Sequence, residues 1–381
     1  MKKKILFVYY QNIKQGGISK AIAKITENLA YKDIEITILF LMSEHEDFFQ
    51  IDSRVRKIYL DTFDTTQYRF ASALYYKRYF AGLSRKLVNY SYDLGSFLML
   101  KKWISENHQN YDQIISCWYK LSTFLTFTEA KKKVIAWEHI NYKTGGLLYY
   151  QWLRKRYSKL KGIICLTDEA VKFYKTINSN TVKISNIIGD DYENAAINFS
   201  EKENNIFLAC RLEPEKNIDE FLEIVSMTKM PENWTVNIAG NGAEFQKLTE
   251  KTVALGLKNV KFLGSINSDM MVDHFKKSKI FCMTSVVEGL PTTLIEAMFC
   301  GNVLISYDCP TGPAEIINNR NGYLIPLHDK YLFKEKLQYL IYNGEGLELL
   351  MRLSLNESIN WGKADIIEKW KKMLSLEFEN S

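Results

Sequence analysis

The chain has 381 residues, of which 46% are hydrophobic and 25% charged, with a formal net charge of +6 and six cysteines. Such a composition suits a soluble globular protein of about two domains, which can bury a substantial core without staples. The cysteines form no CxxC pair and most sit in apolar runs, so neither a disulfide framework nor a zinc site is expected.

"KILFVYY" reads as a first buried strand. "MKKKILFVYYQN" is too short in apolar residues for a signal peptide, and no run approaches the roughly 18 residues that a membrane-spanning helix needs, so a cytoplasmic protein is expected. "ISKAIAKITENLA" follows, beginning at Gly16-Gly17, with Ile18, Ala21, Ile22, Ile25 and Leu29 close to the spacing of one helical face. "EITILFLM", "RVRKIYL", "DQIISCWY", "KVIAW", "GIICLT" and "TVKISNI" continue a strand and helix alternation that predicts a mostly parallel sheet covered on both faces. Residues 1–188 hold thirty Lys and Arg against sixteen Asp and Glu, a net +14, whereas residues 189–381 carry −8. A basic first half points to an anionic partner: nucleic acid, phosphate or an acidic membrane surface.

Between Gln67 and Lys102 the chain interleaves Arg69, Lys77, Arg78, Arg85 and Lys86 with Tyr75, Tyr76, Tyr79 and Phe80, and "LLYYQWLRKRYSKLKG" repeats the flavour. Basic and aromatic residues on a helix suit a membrane interface. The competing reading makes the aromatics core and the cations a solvated face, and periodicity alone does not separate the two.

Polar "GDDYENAAINFSEKENN", residues 189–205, reads as a linker, after which "IFLACRL", "WTVNIAG", "NVKFLG", "KIFCMTS", "NVLISY" and "GYLIP" form a second alternating series. The expected fold is therefore α/β, two facing doubly wound domains with ligands at the carboxyl ends of the strands, in the cleft between them.

Several chemical motifs fall on those strand ends. "CRLEPEKN" puts Arg211 and Lys216 where two cations can clamp a diphosphate. "IAGNGAEF" supplies a turn at Gly240, Asn241 and Gly242. In "TSVVEGLPTTLIEAMFCG", a helix starting near Pro291 or Thr292 directs unpaired N–H groups and its positive dipole end at an anion; Thr292 and Thr293 add hydroxyls, and Gly289 permits close approach. Glu296, a turn into that helix, can accept hydrogen bonds from sugar hydroxyls, and Glu288 lies in the loop. His139 follows the strand "KVIAW" at a carboxyl end; a lone histidine is more often structural.

The ordered set Arg211 and Lys216, Gly240-Asn241-Gly242, Glu288-x7-Glu296 and "CPTGPAEII", each after an expected strand, resembles the donor half of glycosyltransferase family 4, retaining enzymes of GT-B fold. The resemblance spans essentially the whole second domain, with Gly16-Gly17 and "IAWEHIN" matching the first more loosely. It implies an acceptor-binding Rossmann-like domain over 1–188 and a nucleotide-sugar domain over 203–359. It also implies a terminal helix, 360–376, that packs back on the first domain, and domain closure that excludes water. Arg211 and Lys216 would bind the donor diphosphate, Glu296 the ribose, and backbone of Gly289, Leu290, Pro291, Thr292 and Thr293 the sugar and phosphate, with Asn241 and Gly242 alongside. Glu288 would lie against the transferred sugar, Gly17 near the reaction centre, and His139 would face the sugar from the acceptor side.

No Asp-x-Asp occurs in the chain, so the usual carboxylate pair for a divalent metal is missing and metal-independent, retaining transfer is expected, with no cofactor. The resemblance further implies a nucleotide-sugar donor, with UDP the expected nucleotide. A lipid-linked or glycan acceptor in surface-polysaccharide assembly and peripheral contact with anionic membrane at the inner face complete it. A sugar-nucleotide epimerase of the same architecture is the alternative. A nucleic-acid-binding role is disfavoured by the acidic second half, and a nicotinamide dehydrogenase by the lack of a Gly-x-Gly-x-x-Gly after the first strand.

Overall fold

The computed structural model describes residues 2–13, 16–30, 33–60, 83–143 and 148–374. They divide into two compact units, Met1–Asn186 with Ile367–Ser381, and Ile187–Ile366. Each apolar run read as a strand is one, with ends shifted by up to four residues.

In the first unit the strands are β1 (Lys3–Tyr9), β2 (Ile34–Phe40), β3 (Arg56–Tyr59), β4 (Gln113–Ser116), β5 (Val134–Glu138), β6 (Gly162–Cys165) and β7 (Thr181–Lys183). All pair in parallel, in the order β3-β2-β1-β4-β5-β6-β7. Parallel sheets are covered on both faces, which is why Ile5, Leu6, Phe7 and Val8 are consecutive and fully buried rather than alternating with polar residues. The helix Gly17–Leu29 presents Ala21, Ile22, Ile25 and Leu29 to this core, as its spacing predicts. Trp370, from the terminal helix Lys363–Met373, is fully buried, 6.3 Å from the Phe7 ring and edge-on to Trp137 at 4.8 Å. The Leu374 carbonyl after that helix accepts from Lys3 Nζ at 2.6 Å and Gln113 Nε2 at 3.0 Å. Burying a side chain of this size is worth on the order of 3 kcal/mol.

The second unit contains β8 (Glu203–Ala209), β9 (Thr235–Ala239), β10 (Val260–Gly264), β11 (Ser278–Met283), β12 (Val303–Asp308) and β13 (Gly322–Pro326), parallel and ordered β10-β9-β8-β11-β12-β13. The reading of 189–205 as a linker is corrected here: the segment is folded into this unit. Tyr192 rests edge-on against Phe275 at 5.8 Å. Buried Lys202 donates to the carbonyls of Lys276 (3.0 Å) and Ser278 (2.6 Å), satisfying acceptors at the end of the helix Ser268–Lys277, while burial pushes its pKa down to about 7. Glu203, Asn204 and Asn205 already belong to β8. A polar composition misleads because these groups pair with backbone rather than with water.

The basic and aromatic stretch 67–102 is described only in part. Arg69, Lys77 and Arg78, with the tyrosines between them, lie outside the described residues, and from Leu83 the chain runs as one helix to Asn107.

Candidate active site

The strand orders place one topological switch point in each unit, between β1 and β4 and between β8 and β11, where loops leaving the carboxyl ends diverge and ligands bind. The motif residues of the second unit gather at the latter.

The chain leaving β8 turns through Pro214–Lys216 and Asn217, whose φ of 53° is in the left-handed region that asparagine tolerates. This turn is stitched to the end of β11. Val286 N donates to the Glu215 carbonyl at 2.9 Å, and Thr284 Oγ donates to the carbonyls of Lys216 and Asn217, each at 3.2 Å. Lys216 Nζ is thereby held 2.6 Å from Glu288 Oε1, both side chains only 15% accessible. Glu288 is fixed from the other side: its N–H donates to the Pro310 carbonyl at 3.2 Å, and Thr311 Oγ donates to the carbonyls of Glu288 (3.2 Å) and Gly289 (3.1 Å). Thr284 and Thr311 were not singled out from sequence. The signal that could have found them is a threonine just after a strand, where its hydroxyl can tie neighbouring loops.

Arg211 differs from Lys216. Its guanidinium is 61% accessible and touches Glu215 Oε1 at 3.1 Å, an exposed pair of about 0 to 1 kcal/mol that a stronger anion can displace. The 240–242 turn lies against the same loop: Gly240 N donates to the Gly264 carbonyl at 2.8 Å, Leu212 N donates to the Asn241 carbonyl at 2.9 Å, and Asn241 Oδ1 accepts from Gly242 N at 2.8 Å.

The helix expected after Pro291 spans Thr292–Phe299, with Pro291 as its N-cap residue, offering no side-chain cap. Its first N–H groups therefore bring the positive end of the helix dipole to the switch point, next to half-buried Thr292, Thr293 and Gly289. Leu290 and Pro291 are buried and anchor the loop. Glu296, one turn in, is 3% exposed and close enough to the Tyr192 phenol to help raise its pKa, after burial itself. Cys210 and Cys309 border the Lys216 and Glu288 pair, and burial pushes both thiols up to about 12, which leaves them protonated and non-nucleophilic at neutral pH.

The remaining two residues belong to the first unit. Gly17 opens the helix after β1, at that unit's switch point; a Cβ there would meet nothing within 4 Å, so the unit itself does not demand glycine. His139 follows β5. Its ring lies 4.3 Å from Trp137, and its Nε2 is enclosed without a hydrogen-bond partner, as are Trp137 Nε1 and Asn141 Nδ2 on the same short segment. These three orphaned polar groups fall at alternate positions of the chain, 137, 139 and 141, where buried polar groups ordinarily find partners. Burial pushes the pKa of His139 down to about 3. Glu138 beside it points the other way, 3% exposed, accepting from the hydroxyls of Tyr157 and Tyr174, each at 3.0 Å. Burial raises its pKa against the opposing pull of Arg154 and the two phenols.

A prediction follows for His139. The unfolded chain takes up this proton near 6.5 and the folded one only near 3, so the unfolded state binds more protons in between and stability falls as pH drops through that window. NMR titration of the His139 ring should show no protonation between pH 8 and pH 5. An inflection near 6.5 would contradict the enclosed geometry.

Residues 190–357 match the family model described as glycosyl transferases group 1. The amylovoran biosynthesis glycosyltransferase AmsD of Erwinia amylovora is 27% identical over 251 residues, 64% of this chain and 71% of that protein. A Campylobacter jejuni enzyme, the GalNAc-alpha-(1->4)-GalNAc-alpha-(1->3)-diNAcBac-PP-undecaprenol alpha-1,4-N-acetyl-D-galactosaminyltransferase, is 24% identical over 380 residues, 98% of each chain. Among solved structures, S. aureus TarM as a mutant in complex with Fondaparinux, alpha-GlcNAc-glycerol and UDP superposes with a TM-score of 0.75 at 15% identity, covering 98% of this chain and 99% of that one. The fold is GT-B.

Proposed function

Because the chain is a glycosyltransferase of GT-B fold, we propose that it transfers a sugar from a nucleotide-sugar, with UDP as the nucleotide, to a glycan or lipid-linked acceptor in cell-surface polysaccharide or glycolipid assembly. The observation that carries the proposal is the Lys216 and Glu288 pair at the β8/β11 switch point, with Glu288 in the loop that leads into the helix Thr292–Phe299. A cation and a helix dipole converging on one spot are suited to a leaving diphosphate.

In this reading Lys216 exchanges Glu288 for the diphosphate and Arg211 leaves Glu215 to join it. Glu296 accepts hydrogen bonds from the ribose, while the backbone of Gly289 to Thr293, with Asn241 and Gly242, borders the sugar and phosphates. Glu288, released, faces the transferred sugar. His139, neutral at physiological pH, and the backbone at Gly17 act on the sugar from the first unit. The bond from the anomeric carbon to the phosphate oxygen breaks, the acceptor oxygen bonds to that carbon on the same face, and its proton passes to the departing phosphate. Retention and family 4 membership rest on the sequence resemblance. Metal independence rests on it too, and on the lack of Asp-x-Asp. A lipid-borne acceptor fits the basic first half, net +14 over residues 1–188, and peripheral residence at the inner membrane face. The relatives do not favour the epimerase alternative.

The test is binding and hydrolysis across UDP- and GDP-sugars, with and without EDTA, on the wild type and Glu296→Ala. We expect one nucleotide-sugar to bind, insensitive to EDTA, and to lose at least about tenfold in affinity in the variant, the scale of one charged hydrogen-bond acceptor. Loss of turnover with EDTA would overturn metal independence, and an inverted anomeric signal in the product would overturn retention.

A further inference from the structure

From Asp93 onward, among the described residues, the helix Leu83–Asn107 carries an exposed apolar stripe. Leu100 and Ile104 are buried, whereas Leu94 is 58% and Leu98 54% exposed, and Lys101 and Lys102 continue the same stripe a turn further on, also exposed. Phe97, between the leucines, touches Phe124 at 5.3 Å and Phe127 at 6.1 Å, which carries the surface onto the end of the neighbouring helix Tyr119–Leu125. Phe127 is 44% exposed, with the Arg156 guanidinium 3.8 Å from its ring, and Lys101 Nζ lies 6.0 Å from that of Phe97. On the adjoining helix Leu148–Leu153, Trp152 is 67% exposed.

Charge decides which partner this surface fits. Residues 93–107, 119–133 and 150–160 contain ten Lys and Arg, of which Arg154 is buried, but three carboxylates, Asp93, Glu106 and Glu129. Asp93 is occupied by Lys120 at 2.9 Å and the Tyr150 hydroxyl at 2.9 Å. A second copy of this chain would bring like charge against like charge, and an ordinary solvated face would not carry half-exposed leucines and aromatics beneath its cations. We infer that the Leu94, Leu98 and Phe127 surface, rimmed by Lys101, Lys102 and Arg156, docks on an anionic lipid bilayer, with the apolar side chains entering the headgroup region and the cations pairing with lipid phosphates. The inference deepens the proposed lipid-borne acceptor by giving the first unit a surface of its own for the membrane. No helix among the described residues is long and apolar enough to cross one, so the contact is peripheral.

The experiment is sedimentation of the full chain with phosphatidylcholine vesicles, with and without phosphatidylglycerol. Binding is expected only to the anionic vesicles and should weaken as salt rises from about 0.1 M to about 1 M. Lys101→Glu with Lys102→Glu should lower partitioning at least about tenfold, and Leu94→Gln with Leu98→Gln by a similar factor. All four positions are exposed, so an unchanged thermal midpoint should accompany the loss. Equal binding by wild type and both double variants would overturn the inference. So would a wild type that is dimeric by sedimentation and becomes monomeric in the leucine variant, since a second copy would then be the occupant. Nucleotide-sugar hydrolysis, measured without vesicles, should be unchanged in both variants, so the docking surface and the catalytic reading fail separately.

Discussion

Lys216→Ala should lower kcat/KM for nucleotide-sugar turnover by about 1,000-fold, the upper range for removing one preorganised donor from a developing anion. Two effects add. In the proposed reading the diphosphate loses its most enclosed cation, and Glu288, 15% accessible and 2.6 Å away in the wild type, is left as an unpaired, half-desolvated carboxylate in the same place. Lys216→Arg keeps the charge but not the point-like ammonium, and should recover part of the activity. Removing Glu288 as well tests the pairing. In a double-substitution cycle of stability, Lys216→Ala with Glu288→Ala should cost less than the sum of the two single changes, because neither leaves an orphan. Activity within threefold of wild type in Lys216→Ala would mean the pair is only a structural tie between the β8 and β11 loops.

Gly240→Ala should have the largest effect on folding. Gly240 sits at φ +133°, where side chains are rarely tolerated, and a Cβ built there would fall 1.7 Å from the Cys210 carbonyl oxygen, a backbone atom that cannot swing aside. Relief requires separating the 240–242 turn from the 210–212 loop and breaking the Leu212 N to Asn241 carbonyl bond. The expected loss is at least about 3 kcal/mol in urea unfolding, from backbone strain plus a lost hydrogen bond. Gly256→Ala is the control. Gly256 is also left-handed, at φ +66°, but nothing lies within 4 Å of its Cβ position, so only about 1 kcal/mol of conformational strain is expected. If the two variants were equally stable, the close approach at Gly240 would carry no energetic weight. The surviving folded fraction of Gly240→Ala should also bind donor more weakly, because Asn241 and Gly242 must move with the turn.

The strands were legible because parallel sheets covered on both faces need continuous apolar runs, and a stretch such as Ile5 to Val8 satisfies nothing else so well. The helix at Thr292 was legible from its local signals, proline before and glycine after, with Gly301 indeed at φ +65° past its end. The motif residues around Lys216, Asn241 and Glu288 could be marked as belonging to strand ends for the same local reason. Their partners could not. Lys216 and Glu288 are 72 positions apart, and nothing in either neighbourhood specifies that one should neutralise the other. The same holds for the burial of Glu138 beneath Tyr157 and Tyr174, and for the polar 189–205 stretch, which looks solvated until Tyr192 and Lys202 are seen to be enclosed.

By itself, then, the chain's order of residues determines two alternating α/β series, a basic first half and an acidic second, and a set of cations, carboxylates and glycines at successive strand ends. Only the tertiary structure decides the strand orders, and with them that β8 and β11 are neighbours although 68 residues separate Ala209 from Ser278. It alone decides that Trp370 returns to Phe7 and Trp137, and that half-exposed leucines line one helix. The physical reason is that periodicity, turns and caps are settled by neighbours within a few residues. Register, ion pairing and burial depend on surfaces that meet only after the chain has closed long loops, and the sequence pattern records those surfaces without saying which will meet.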